Sequence, residues 1–193
     1  MKILLCYATA GEGKIIKNKI KNLNLKINLD ITYLCTGMGM YETIFNLTKT
    51  LNNQDFDIVL NIGVCGYLNE KKDWIQVART VNLSTGKELI VPIFIEFGNL
   101  ESIGCSDIVI RNWGSGIGNL ENKLQITNKQ IPAYIDMESW AIEYVCDKFR
   151  IPRVILKVPV DKIGEELFDR EKGSKLLTEN LDYEKIIKII IND

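Results

Sequence analysis

The sequence predicts an α/β fold, a single domain over residues 1–193 with a central mixed β-sheet flanked by helices. Three observations predict it. Apolar runs of strand length occur at Ile3–Tyr7, Ile58–Ile62 and Val154–Val160, without the polar alternation of a half-exposed strand, which marks strands buried on both faces. Apolar residues at helical spacing, Ile15, Ile16 and Ile20 and then Ile44, Leu47 and Leu51, follow the first strands. A chain of 193 residues with 46% apolar composition is also the size of one globular domain with a substantial core.

Taken in order, Met1 to Tyr7 reads as a strand and Glu12 to about Leu23 as a helix. Asp30 to Cys35 is a second strand, broken by Thr36-Gly-Met-Gly39, and Tyr41 to Leu51 is a helix expected to bury Ile44, Phe45, Leu47 and Leu51. Ile58 to Ile62 is a third strand, closed by Gly63-Val-Cys-Gly66. The middle is richer in β structure, with strands expected at Trp74–Val81, Leu89–Ile95 and Asp107–Ile110. The stretch from Asn112 to Pro132 is polar, carries three glycines and reads as an irregular loop. A short strand before Met137-Glu138 leads straight into a helix, and Arg153 to Val160 is a strand ending on Asp161. Two helical segments, Glu165–Asn180 and Tyr183–Ile191, close the chain.

Composition removes several function classes. A net charge of −1 argues against a nucleic-acid surface. The five cysteines are odd in number and widely spaced with no Cys-x-x-Cys pair, so neither a disulfide framework nor a zinc site is indicated, and no metal or cofactor is expected. Lys2 and the apolar residues to Ala10 superficially resemble a secretory leader, but a central strand explains them better, and no stretch has the length to cross a bilayer. The expectation is a cytoplasmic protein with no membrane partner. The chain has no histidine, which excludes Ser-His and Cys-His nucleophiles and leaves carboxylates as the acid and base groups.

Glu138 and Asp161 then stand out as two carboxylates at the ends of what read as consecutive parallel strands, where open α/β sheets place their ligand crevice. Backbone N–H groups of the turns at Gly39 and at Gly63, Val64, Cys65 and Gly66 would gather at the same edge. Taken singly, each feature has a plain structural explanation. Glu138 is then an acid at a helix N-terminus, Asp161 a helix cap, Glu12 a first-turn surface residue, and the glycines ordinary turn formers.

The pattern of the whole resembles the nucleoside phosphorylase and nucleosidase superfamily, especially the methylthioadenosine/S-adenosylhomocysteine nucleosidases. Met1-Lys-Ile with Glu12, Thr36-Gly-Met-Gly39, Asn61-Ile-Gly-Val-Cys-Gly66 and the stretch from Met137 to Asp161 carry the resemblance. It implies a phosphorylase-like fold and a cofactor-free enzyme acting on a small nucleoside, built as a homo-oligomer. It also implies roles: Glu12 positions the attacking water, Glu138 accepts ribose hydroxyls, Met137 packs against the sugar, and Asp161 protonates the leaving purine. Trp113 or Ile110 is expected at the base. Lys157 stands where the nucleosidases carry an arginine near the Met-Glu carboxylate, Val160 where they carry a serine, and Val64 where a smaller residue is common. The phosphorylase branch has arginines at positions that here hold Asn61 and the first loop, and no arginine precedes Arg79. Water is therefore favoured over phosphate as nucleophile. Methylthioadenosine or S-adenosylhomocysteine is the leading substrate class and futalosine the next, with a phosphorylase or a catalytically weak nucleoside-binding protein as the rival readings.

Overall fold

A computed structural model describes residues 1–23, 30–107, 132–163 and 170–192. Its centre is four parallel strands in the order β2 (Asp30–Cys35), β1 (Lys2–Tyr7), β3 (Ile58–Tyr67) and β8 (Arg153–Lys162). Helix α1 (Ala10–Lys21) links β1 to β2 and helix α2 (Met40–Asn53) links β2 to β3. The pleat of β1 sorts its side chains into two layers. Ile3, Leu5 and Tyr7 pack with Ile16 and Ile20 of α1 and with the helices α4 (Arg170–Glu179) and α5 (Tyr183–Asn192), through Leu177, Ile186 and Ile190. Leu4 and Cys6 face Leu47 and Leu51 of α2 and Ile142 and Val145 of α3 (Ser139–Phe149). A strand buried on both sides in this way needs the unbroken apolar run seen in the sequence.

Beyond β8 the sheet turns back on itself. Strand β4 (Ile75–Asn82) pairs antiparallel with β8 and carries the short β5 (Glu88–Ile90). Strand β6 (Leu100–Cys105) runs parallel to β4, and β7 (Tyr134–Asp136) runs parallel to β6 and antiparallel to the far end of β3. The pairings β3-β8-β4-β6-β7-β3 thus close a ring, with the short β5 as an edge strand beside β4. Among the described residues no helix is long and apolar enough to cross a membrane.

The structure corrects several expectations. Strand β3 does not stop at Ile62. It runs through Gly63–Gly66, because Val64 and Cys65 stay in register with Val158 and Pro159, and the pairing shifts only at Cys65/Gly66. Strands β7 and β8 are antiparallel, since β7 opposes β3 while β8 runs with it. The expected strand Leu89–Ile95 is only the end of β5, where Pro92 prevents a longer ladder. Strand β6 was not foreseen, as Glu101, Ser102 and Gly104 break up its apolar signal. Phe45 is 65% exposed because the buried stripe of α2 runs through Met40, Thr43, Leu47 and Leu51. The expected strand Asp107–Ile110 lies outside the described residues apart from Asp107, which follows β6 without joining a strand. Trp113 and most of the expected loop at 112–132 also lie outside them, as does the start of the expected helix Glu165–Asn180.

Candidate active site

The site is assembled over the middle of β3 and β8, where β1 and β7 end beside the N-termini of α1, α2 and α3. Thr9 begins α1 with a capping box, its hydroxyl taking the Glu12 N–H while Glu12 Oε2 accepts the Thr9 N–H at 2.8 Å. The other carboxylate oxygen, Oε1, accepts the N–H of Val64 at 3.2 Å, which ties the start of α1 to β3. A Cβ placed on Gly63 would stand 3.2 Å from Glu12 Oε1 and 3.3 Å from Lys157 Nζ. Gly63 is therefore the bare floor between an acid and an ammonium group.

Opposite it, Gly39 opens α2 at φ 94°, a left-handed conformation that favours glycine. Its N–H donates to Glu138 Oε1 at 2.9 Å, and the next N–H, of Met40, donates to Asp107. A Cβ on Gly39 would stand 2.7 Å from Asp107 Oδ1 and 3.9 Å from Met137 Cε, so Gly39, Asp107, Met137 and Glu138 form one wall. Two carboxylates here occupy the positive end of α2.

Glu138 holds the N-cap position of α3 but makes no cap hydrogen bond. Asp136 makes it instead, accepting from Ser139 N at 3.1 Å and Ser139 Oγ at 2.6 Å. Asp136 also pairs with Lys157 Nζ at 2.9 Å, and both side chains are buried. Burial pushes the Glu138 pKa up to about 7; Asp136 and Glu12 add to the rise, while Lys157 and the Gly39 N–H oppose it. Burial pulls the Lys157 pKa down, but the carboxylates Asp136, Glu138 and Glu12 together carry it above the ordinary lysine value, so Lys157 is a fixed cation.

The structure thus brings Glu12, Gly39, Gly63, the Val64 N–H, Met137, Glu138 and Lys157 together. Cys65 instead turns its side chain into the core between sheet, α2 and α3, where burial raises its thiol pKa. The space over Gly66 is filled by Ile163, whose Cγ1 stands 2.8 Å from where a Cβ would be. Asp161 lies at the mouth of β8 opposite Gly66, with Lys172 Nζ of α4 at 3.7 Å. Sequence reasoning missed Asp136 and Asp107. An acid three residues before Ser139 at a helix start was a readable signal for the first, whereas Asp107 comes to Gly39 only through the fold. Among the described residues no group of three or more Cys, Asp or Glu side chains is arranged to hold a metal ion.

The partly parallel sheet closed into a ring, with helices on its faces, is a fold shared with solved nucleosidase structures. The chain superposes on the 5′-methylthioadenosine nucleosidase of Arabidopsis thaliana with a TM-score of 0.73 at 18% identity, covering 99% of this chain and 94% of that one. The 5′-methylthioadenosine/S-adenosylhomocysteine nucleosidase of Neisseria meningitidis, solved with methylthio-immucillin-A, gives 0.74 at 14% identity over 100% and 99%. A futalosine hydrolase mutant of Helicobacter pylori gives 0.69 at 16% identity over 100% and 99%. No family model and no curated protein sequence matches the chain.

Proposed function

We propose that the protein is a nucleosidase that hydrolyses the N-glycosidic bond of a purine nucleoside. The observation that carries this reading is Glu138, a buried carboxylate fixed by the Gly39 N–H beside Met137, across a glycine floor from Glu12 and Lys157. Ionised, it is an acceptor-only group suited to the paired hydroxyls of ribose, and the thioether of Met137 suits the sugar's apolar face. Glu12 takes a proton from water as that water adds to the anomeric carbon, and Asp161 gives a proton to the purine as the C–N bond breaks. Lys172 Nζ stands 3.7 Å from Asp161 at the mouth of β8, where the base would enter.

Water is the nucleophile this site suits. The Val64 N–H that an anion would use is taken by Glu12, and the ammonium of Lys157 is already paired with Asp136. A phosphate dianion would meet Glu12, Glu138 and Asp136 with that one engaged cation among them. The test is incubation with purine nucleosides carrying methylthio, homocysteinyl or carboxyphenyl-type 5′ or base substituents, with and without phosphate, followed by mass spectrometry. Free base with a free ribose derivative is expected at equal rates in both buffers. A ribose 1-phosphate would replace the hydrolase by a phosphorylase, and calorimetric binding without any product would identify a nucleoside-binding protein.

The reading includes a cytoplasmic homo-oligomer. Met38, Tyr41 and Phe45 are 62%, 82% and 65% exposed around the start of α2, beside Gly39, which suits a face covered by a second copy.

A further inference from the structure

Lys157 has a four-carbon flexible stem and an ammonium group with three donors. Around it stand three carboxylates from three elements: Asp136 at the end of β7, Glu138 before α3 and Glu12 in α1. Such a cation would collapse onto whichever acid is nearest unless something fixes it. Asp136 is held from the other side by Ser139 N and Oγ at the start of α3, and of the three acids it is the one paired with Lys157, at 2.9 Å. Glu12 is anchored to Thr9 and Val64, and Glu138 to Gly39, so each has its own support and faces the shared floor at Gly63.

We propose that Asp136 is a positioning residue that holds the Lys157 ammonium between Glu12 and Glu138, so that one cation serves both carboxylates and closes on neither. It rests on the nucleosidase reading for its kinetic consequence, though not for its electrostatic one. Without the Asp136 charge, Lys157 swings to Glu138, ties up the oxygens meant for ribose and favours their ionised form. The groups facing Glu138 are Lys157 from β8, Asp136 from β7, Glu12 from α1, and the Gly39 N–H of α2 with Asp107 beside it.

The test compares Asp136→Asn, which removes the charge and keeps an acceptor for Ser139, with Ser139→Ala, which removes the hydroxyl and keeps the charge. The Glu138 carboxyl is titrated by carbon-13 NMR in the ligand-free protein. Its midpoint is expected to fall by about one pH unit in Asp136→Asn and to stay in Ser139→Ala. With a cleaved nucleoside, Asp136→Asn should raise KM about tenfold with kcat changed less than threefold. In the wild-type protein, the Lys157 ammonium should show hydrogen-bond coupling to the Asp136 carboxyl carbon. An unmoved midpoint in Asp136→Asn, an equal shift in Ser139→Ala, or coupling of Lys157 to Glu138 instead, overturns the proposal. If the wild type releases no base, the nucleosidase reading fails and the titration still decides the role of Asp136.

Discussion

Strand β8 carries two buried cations four residues apart, and they are finished differently. Arg153 meets Glu143 of α3 through a two-pronged contact, Nε donating to Oε2 at 2.7 Å and Nη2 to Oε1, while Nη1 reaches the Ile151 carbonyl at 3.4 Å. That pair is saturated and has no further chemistry to offer. Lys157 meets Asp136 through one contact and keeps Glu12 and Glu138 within its field. Four residues further on, Asp161 stands at the mouth of the strand. Along one strand the chain passes from a closed pair to an open one to a candidate acid, and the difference lies in how many donors are left for a ligand.

The sharpest way to test that gradient is at its open end. Asp161→Asn keeps the size of the side chain and removes a transferable proton, so kcat should fall about 10²- to 10⁴-fold while nucleoside binding persists. Steady-state kinetics and calorimetry check this, and a kcat within a few-fold of wild type would remove Asp161 from the mechanism. At the closed end the expected loss is of a different kind. Arg153→Met leaves Glu143 buried without its partner and should cost about 3–5 kcal/mol of stability, read from denaturant unfolding, with kcat of the folded protein unchanged. A large drop in kcat with unchanged stability would mean that the two pairs are not separable as described.

Between these lies Glu138→Gln. An amide offers one acceptor oxygen where the carboxylate offers two, so ribonucleosides should bind about 10- to 100-fold more weakly and 2′-deoxynucleosides should lose less. Equal losses for both sugars would show that Glu138 does not read the 2′-hydroxyl.

Only part of this gradient was legible in the sequence: Lys157 and Asp161 were singled out, while the partners Glu143 and Asp136 were not. The apolar runs of β1, β3 and β8 mark strands buried on both faces, and Met137-Glu138 at a strand-to-helix junction marks the wall proposed for the sugar. What could not be read is the geometry that depends on the ring closure. Asp107 reaches Gly39 only because β6 and β7 bend the sheet back to β3, and no local pattern encodes that. The glycines at 63 and 66 looked like turn formers; Gly63 is in fact a strand residue kept bare so that Glu12 and Lys157 can approach. Asp136 was passed over because its helix-capping role and its pairing with Lys157 come from different levels, one local and one tertiary.

The pH dependence of binding isolates the open pair. Burial raises the Glu138 pKa from the model-peptide value of 4.5 to about 7, so at pH 6 roughly a tenth of the ligand-free molecules hold it ionised. Ribose hydroxyls need acceptors, so binding draws on the ionised form and releases a proton below the midpoint. Nucleoside affinity should therefore rise about tenfold per unit between pH 5 and 7 and level off above, in Asp161→Asn protein used to prevent turnover. The sign for folding is the reverse. A carboxyl whose folded pKa is raised contributes its stability below the unfolded value and loses it as pH climbs through 7, so the ligand-free protein should weaken over the range in which it begins to bind. Burial also raises the pKa of Glu143, with Arg153 opposing, so stability alone mixes the closed and open pairs and binding is the cleaner readout. Glu138→Gln should flatten the binding curve across pH 5–8; a slope that survives the substitution would place the titrating group elsewhere.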